Sequence, residues 1–351
     1  MRSRPAIRGI VMTKHFATVA LAASVLLGGA QVASAQPPGP PAPGRGPFQF
    51  TPDPRVQERS YHFDDTNVDL QYSVFVSSKV DPRKKAPLVV TLHGLGVGHA
   101  FMLRGPALDL AEEGGYILVG PEGYNPRGWY GIPSTGRFAG PPPRPGAQPG
   151  QPGAQPGQPP AQPAQLAVQP GQPAAAAPPG PPRGPGPGGG NPFGPQPNDP
   201  PNLRELSEKD VMNVLALVRE EFNVDENRIY LMGHSMGGAG TLHLAVKYPD
   251  IWAAVGPIAP AAFELDPQSI AKVPRLPVVL VHGAADELVP VAVGQQWAAV
   301  MKNAGMTYEY HELPGVTHGP VINDAQPLIY AFFAKHAKET QRQRRRSRSN
   351  D

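Results

Sequence analysis

The sequence predicts an α/β fold: a mostly parallel sheet with helices packed on both faces. Three observations predict it. Apolar runs alternate along the chain with stretches of helical periodicity. Most of those runs are apolar throughout, as strands buried on both faces must be. And although 40 Gly and 48 Pro make up about a quarter of the 351 residues, the chain is still 40% hydrophobic. A core is therefore affordable only if Pro and Gly are gathered elsewhere, and they are.

The elements follow in order. Residues 1–15 are basic through Arg2, Arg4, Arg8 and Lys14, residues 16–30 are apolar or small, and Ala33-Ser34-Ala35 follows. This is the layout of a secretory signal peptide over residues 1–35, cleaved after Ala35, with Met1 or Met12 as the start. The apolar run is short for a membrane anchor, the rival reading. The expected destination is the periplasm or the medium. Residues 36–54 are Pro/Gly-rich and read as a disordered leader.

The folded domain is expected over residues 55–338. Residues 72–76 (YSVFV) alternate as a strand does, and 88–92 (LVVTL) form a buried strand ending in His-Gly. Leu103, Ala107, Leu108 and Ala111 share one face of a helix that Gly114-Gly115 stops. Another buried strand covers 116–120. From 140 to 202 the chain is Pro, Gly, Gln and Ala without apolar periodicity, which predicts a disordered insertion within a loop. Loop-closure entropy grows only logarithmically, so a fold tolerates such an insertion. It reads as a solvated spacer or as a Pro-rich ligand for an aromatic groove.

Helical periodicity resumes at Leu206 and runs through Val211, Leu215, Val218 and Phe222, with Ser207 and Asp210 expected to cap its start. Strand 228–233, helix 237–248, strand 253–259, buried strand 277–281, helix 291–304, edge strand 308–313 and helix 324–336 complete the alternation. Residues 339–351 form a basic, disordered tail.

Composition excludes several classes. The absence of Cys removes disulfide frameworks, thiolate zinc sites and a cysteine nucleophile. There is no collagen period, heptad pattern or longer repeat. The leader to residue 35 holds four basic residues and no acid, and the tail from Glu339 holds five arginines against two acids. The net +3 of the whole chain therefore leaves a body of net −4, with no electrostatic case for nucleic acid. The Arg-rich tail could meet anionic envelope polymers, weakly, or simply be solvated. A monomer is expected.

One constellation carries chemistry. Gly233-His234-Ser235-Met236-Gly237-Gly238 lies between a strand and a helix, the setting of a nucleophile elbow. The glycines permit the crowded turn, Ser235 is left exposed, and the Met236 amide points where an oxyanion would form. A serine hydroxyl needs a base, and the base needs an orienting acid. Asp286 follows one buried strand and His318 follows the last strand, so Ser235, Asp286 and His318 occur in a workable order. Glu287 is the rival acid and His311 the rival base. His336 sits in the last helix, and His234 and His282 flank loops in packing or hydrogen-bonding positions. A second oxyanion donor is expected in Leu92-His93-Gly94-Leu95-Gly96-Val97-Gly98, with the Leu95 amide best placed. A phosphate loop is the weaker reading of that stretch, because no Lys-Ser/Thr follows. Tyr124, Trp129 and Tyr130 are candidates for a substrate pocket, or for packing beneath the insertion. Trp252 is expected in the core. No His/Asp/Glu cluster has metal-ligand spacing, so no metal is expected.

With His93-Gly94, Gly233-His234-Ser235-Met236-Gly237, Asp286 and His318 in place, the chain resembles the α/β-hydrolase superfamily. More narrowly, it resembles secreted carboxylesterases, polyhydroxyalkanoate-depolymerase-like esterases and the catalytic domain of prolyl-oligopeptidase-like serine hydrolases. The stretch from Gly123-Tyr124 to Gly128-Trp129-Tyr130-Gly131 fits the same neighbourhood. The resemblance covers about 220 residues and implies an eight-stranded, mostly parallel sheet, an acyl-enzyme intermediate and no cofactor. It also implies Ser235 as nucleophile, His318 as base, Asp286 as its orienter, and Leu95 and Met236 as amide donors. The chain departs from these relatives in lacking a propeller domain, the cysteines of secreted depolymerases and an evident cap. The function expected is exported hydrolysis of small-molecule carboxylic esters. A prolyl-oligopeptidase-like peptidase and a non-catalytic envelope-binding protein are the alternatives, and the complete triad argues against the last.

Overall fold

The computed structural model describes residues 51–134 and 196–338. Eight strands form one sheet: β1 (Gln57–Phe63), β2 (Val68–Val76), β3 (Ala86–Leu92), β4 (Ile117–Pro121), β5 (Val224–His234), β6 (Ala254–Ile258), β7 (Val278–Gly283) and β8 (Tyr308–Leu313). Five helices accompany them: α1 (Pro106–Gly114), α2 (Leu203–Glu221), α3 (Met236–Lys247), α4 (Ala292–Asn303) and α5 (Val321–Lys335). The strand order is β1-β2-β4-β3-β5-β6-β7-β8. β2 runs antiparallel to both β1 and β4, and every other pairing is parallel. This is the expected eight-stranded α/β-hydrolase sheet.

The wholly apolar runs are buried on both faces, as their composition requires: every residue of β3, β4, β6 and β7 is buried. Leu108 and Ala111 of α1 and Ile329 and Phe333 of α5 pack on one face of the sheet. Val211 and Leu215 of α2, Leu242 of α3 and Trp297 of α4 pack on the other, together with the expected core residue Trp252. β8 is half-exposed throughout most of its length, as an edge strand should be. The chain leaves β3 toward β4 through α1, and leaves β5 in the opposite direction toward β6 through α3. The carboxyl ends of β3 and β5 therefore flank the crevice where a doubly wound sheet offers space to a ligand.

Three expectations are corrected. Strand β1 has no signature in the sequence, because its residues QERSYHF lie at the sheet edge and only Phe63 is buried. Helix α2 begins at Leu203, a turn before the expected start, so Ser207 and Asp210 do not cap it. They are buried within it and serve a neighbouring loop: Ser207 Oγ accepts the Tyr130 amide at 3.1 Å, and Asp210 accepts the Gly123 amide at 2.7 Å, the Tyr124 amide at 3.2 Å and the Tyr61 hydroxyl at 2.6 Å. The third correction concerns the end of the insertion. Within the stretch expected to be disordered, Asp199 is held at 2.7 Å by Arg127 and at 3.1 Å by the Asn125 amide group, so residues 196–202 belong to the folded domain. The signal peptide, the leader, the remainder of the insertion and the basic tail lie outside the described residues.

Candidate active site

Ser235 stands alone between β5 and α3, with φ 57° and ψ −115°. The left-handed region is strained for a residue with a Cβ and costs about 1–3 kcal/mol, so the surroundings must hold it there. They do so through the backbone: the Ser235 amide donates to the Ile258 carbonyl at 2.9 Å, and the Ser235 carbonyl accepts the Ala261 amide at 3.0 Å. The turn is crowded as expected. A Cβ on Gly237 would lie 2.1 Å from the Leu92 carbonyl oxygen, and one on Gly233 would lie 2.4 Å from the Gly237 carbonyl oxygen. His234 and Met236 are buried on either side while Ser235 is half-exposed, so the strained turn lifts one hydroxyl out at the carboxyl edge of the sheet.

The structure brings Asp286 and His318 together from the loops after β7 and β8. His318 Nδ1 lies 2.7 Å from Asp286 Oδ2, and the carboxylate is wholly buried. A buried anion needs donors for its remaining lone pairs. Asp286 Oδ1 takes two of them from its own loop, the amides of Leu288 at 2.9 Å and Val289 at 2.8 Å. Because the carboxylate accepts a hydrogen bond from Nδ1–H, the His318 tautomer leaves the Nε2 lone pair available to act as a base. His318 is tied in turn to the elbow. Its ring packs at a tilt of 48° against that of His234, Ser235's neighbour, with centroids 4.5 Å apart, and its carbonyl lies 2.9 Å from His234 Nε2. Burial drives the His234 pKa down to about 3, with His318 adding to the effect, so His234 is a neutral donor at this contact.

The other rivals sit apart from this pair or beside it. Glu287 is exposed, and its carboxylate reaches only the His318 backbone amide at 3.5 Å. His311 lies within β8, 3.1 Å from Glu309, and His336 Nδ1 donates to the Phe332 carbonyl just past α5. His282 is fully buried, 3.4 Å from Asp286.

The opposite wall is the loop after β3. A Cβ on Gly94 would lie 3.6 Å from Ser235 Cβ, so this loop passes directly beside the serine. His93 pins it by bridging the Gly94 and Glu122 carbonyls, both at 2.8 Å, and the Gly96 amide donates to the Pro126 carbonyl at 3.0 Å. Leu95 is half-exposed on this loop. Met236 opens α3, where the first amides have no helical carbonyl to pair with.

Of the expected pocket aromatics, Tyr130 is displaced from that role. Tyr130 is 0% exposed; its hydroxyl donates to the His93 carbonyl at 3.1 Å and its ring meets His93 edge-on. It therefore supports the loop from behind instead of lining a pocket. Tyr124 packs edge-on against Phe63 in a small cluster with Leu70 and Leu206. Trp129 is half-buried, with the Arg204 guanidinium 5.5 Å from its ring centroid. Reach explains the difference: the polypeptide from Gly123 to Gly131 folds back beneath the loop after β3, which the order of residues along the chain does not reveal. The supporting residues Ser207, Asp210 and Asp199 carry no sequence signal of this role. His282 carries a faint one, its spacing of four before Asp286. Among the described residues no cluster of His, Asp or Glu could hold a metal ion, and no helix is long and apolar enough to cross a membrane.

Comparison with known proteins agrees with this geometry. A family model described as phospholipase/carboxylesterase matches residues 199–336. The chain is 34% identical over 95 residues to Cutinase 1 of Thermobifida cellulosilytica, covering 27% of this chain and 34% of that protein. It is 29% identical over 133 residues to carboxylesterase SOBER1 of Arabidopsis thaliana, covering 36% and 58%. The chain thus spans between about a third and somewhat over half of the length of the curated relatives it matches. Among solved structures, an S-formylglutathione hydrolase from Agrobacterium tumefaciens is similar at TM-score 0.53 and 15% identity, over 81% of this chain and 95% of that one. A ferulic acid esterase from Anaeromyces mucronatus is similar at TM-score 0.51 and 16% identity, over 84% and 94%. At these identities the two structures speak to the fold. The sheet order and the elbow give the chain an α/β-hydrolase fold, and over residues 199–336 it is similar to the phospholipase/carboxylesterase family.

Proposed function

We propose that this chain is an exported serine hydrolase that cleaves small carboxylic esters through an acyl-enzyme. The observation that carries the reading is the buried Asp286–His318 hydrogen bond of 2.7 Å beside a serine held in the left-handed region at the end of β5. In this reading His318 Nε2 takes the Ser235 proton as Oγ attacks the ester carbonyl carbon. The oxyanion forms against the amides of Leu95 and Met236. Collapse breaks the bond to the alkoxy oxygen, and His318 returns the proton to the departing alcohol. Water then attacks the acyl-Ser235 ester with His318 again as base, the acyl–Oγ bond breaks as His318 returns the proton to Ser235 Oγ, and the acid leaves. Every proton passes through one imidazole, and no other group is required.

The carboxylesterase family match over residues 199–336 supports ester over amide chemistry. Short-chain, uncharged esters are the proposed substrates. A fluorophosphonate probe should label Ser235, as read by mass spectrometry of the labelled peptide, and labelling of Ser235→Ala would refute the nucleophile. Across p-nitrophenyl esters from acetyl to palmitoyl, kcat/KM should peak at acetyl to butyryl; a steady rise to palmitoyl, or prolyl anilide turnover rivalling ester turnover, would overturn the substrate class. Export is proposed from residues 1–35 and is tested by N-terminal sequencing of the secreted protein, which should begin at Gln36.

A further inference from the structure

We infer that His282 is a positioning residue for the Asp286–His318 pair, resting on the reading of Ser235 as the nucleophile. His282 ends β7, and its side chain is wholly shielded from solvent. Its Nε2 lies 2.9 Å from the Val289 carbonyl and 3.4 Å from Asp286 Oδ2. Both neighbours are acceptors, so the proton must stand on Nε2, donating to the carbonyl and facing the carboxylate. Nδ1 is then a bare lone pair. It is buried and has no hydrogen-bond partner among the described residues.

That arrangement is expensive for a residue that only fills space. A leucine or phenylalanine would bring no unpaired acceptor of its own, although it would release the Val289 carbonyl. The ring is also pressed into place: a Cβ on Gly294 of α4 would lie 2.6 Å from Nδ1, with Leu280 close on the same side. So α4 carries a glycine where the imidazole stands, although Ala is the better helix former.

The bonds form a continuous chain. His282 holds the Val289 carbonyl; the Val289 amide, with that of Leu288, holds Asp286 Oδ1; Asp286 Oδ2 holds His318. His282 ties both ends of the acid loop to the end of β7. With it, the buried carboxylate accepts from two amides and one imidazole and faces the N–H of a second at 3.4 Å. Without it, the loop carrying Val289 loses its anchor and the oxygen that orients His318 loses a neighbouring donor.

The experiment compares His282→Leu, His282→Gln and Gly294→Ala in the full-length protein. Gln sets an amide donor near the position of Nε2; Leu provides none. Two readouts are taken: kcat and KM on a short-chain p-nitrophenyl ester, and the far-downfield proton resonance of the hydrogen-bonded His318 Nδ1–H. For Leu, kcat should fall about 10- to 100-fold, the worth of a hydrogen bond to a charged group, with KM little changed. The downfield resonance should shift or vanish. Gln should recover most of both. Gly294→Ala should move the same two readouts through the displaced ring, although Ala suits a helix.

A Leu variant with kcat within twofold of wild type and an unmoved resonance would overturn the assignment. If the Leu variant does not fold, the other two decide it: a normal resonance in Gly294→Ala would overturn the assignment, and a shifted one with unchanged KM would support it. The function and the inference fail separately. A wild-type protein that neither labels nor hydrolyses esters refutes the serine hydrolase, while the resonance still reports whether His282 holds the pair.

Discussion

On one flank of Ser235, Asp286 and His318 are organised largely by their own loops; on the other, the loop carrying Leu95 is organised by residues scattered far along the chain. Asp286 draws two of its donors from two and three residues ahead. The loop after β3 instead leans on Tyr130, which is 37 residues from His93, and Tyr130 is held by Ser207, 77 residues further on. Asp210 grips Gly123 across 87 residues, and Asp199 grips Arg127 across 72. Local bonds follow from spacing and leave a motif. Long-range bonds require the sheet to be assembled first and leave only isolated polar residues at helix or loop positions. The flank proposed to hold the oxyanion is therefore the part of the site most dependent on the rest of the fold.

The sharpest test of this contrast is on the acid–base flank. Ser235→Ala and His318→Ala should each lower kcat by at least about 10⁴-fold, and the double variant should be no worse than either, because the residues act as a unit. Additive losses in steady-state kinetics would separate them. Asp286→Asn should lose somewhat less, on the order of 10³- to 10⁴-fold, because the amide favours the wrong His318 tautomer while the fold survives. Unchanged thermal unfolding alongside that loss would mark this flank as chemistry more than architecture.

The oxyanion flank should behave in the opposite way, showing its defects first in stability. Asp199→Ala removes the charged partner of Arg127 and should cost about 2 kcal/mol in denaturant unfolding, the usual range for hydrogen bonds to charged groups. Deleting residues 141–194, which leaves Asp199 in place, should cost much less, since shortening a long loop changes closure entropy only logarithmically. A deletion as damaging as Asp199→Ala would break the comparison by showing that the insertion itself supports the site.

Asp210 gives the same flank a pH signature. Burial lifts its carboxyl to about 6, against the pull of the Tyr61 hydroxyl and the two amides. The folded chain thus holds this proton more tightly than the unfolded chain, whose carboxyl titrates near 3.8. Stability from this group is highest at low pH and falls as pH rises from about 4 through 6. Measured against Asp210→Asn, the wild type should gain about 1 kcal/mol between pH 7 and pH 5. A pH-independent gap would show that the hydrogen bonds outweigh burial. The smallest effect is expected for Tyr130→Phe, about 1 kcal/mol for the lost bond to the His93 carbonyl, with a few-fold fall in kcat and little change in KM.

How far the sequence reached follows the same division. The runs at 88–92 and 277–281 announced β3 and β7, because strands buried on both faces must be apolar throughout. β1 went unannounced, because an edge strand with one buried residue has no such constraint. Ser207 and Asp210 looked like caps because a hydroxyl and a carboxylate near a helix start usually are; here α2 starts earlier, and both turn to the loop beside β4. Tyr130 looked like a pocket wall because an aromatic in a Gly-rich loop can be one, yet its hydroxyl found a buried carbonyl.

By itself, then, the sequence determined the alternation of strands and helices and the order of Ser235, Asp286 and His318, because period and local turn chemistry act over a few residues. Only the tertiary structure decided what stands behind them: His282 behind Asp286, His234 against His318, and Tyr130 beneath His93. Those contacts join groups that meet only when the carboxyl ends of β3, β5, β7 and β8 are brought to one edge of the sheet, and which group then faces which is set by packing and burial, neither of which has a period along the chain.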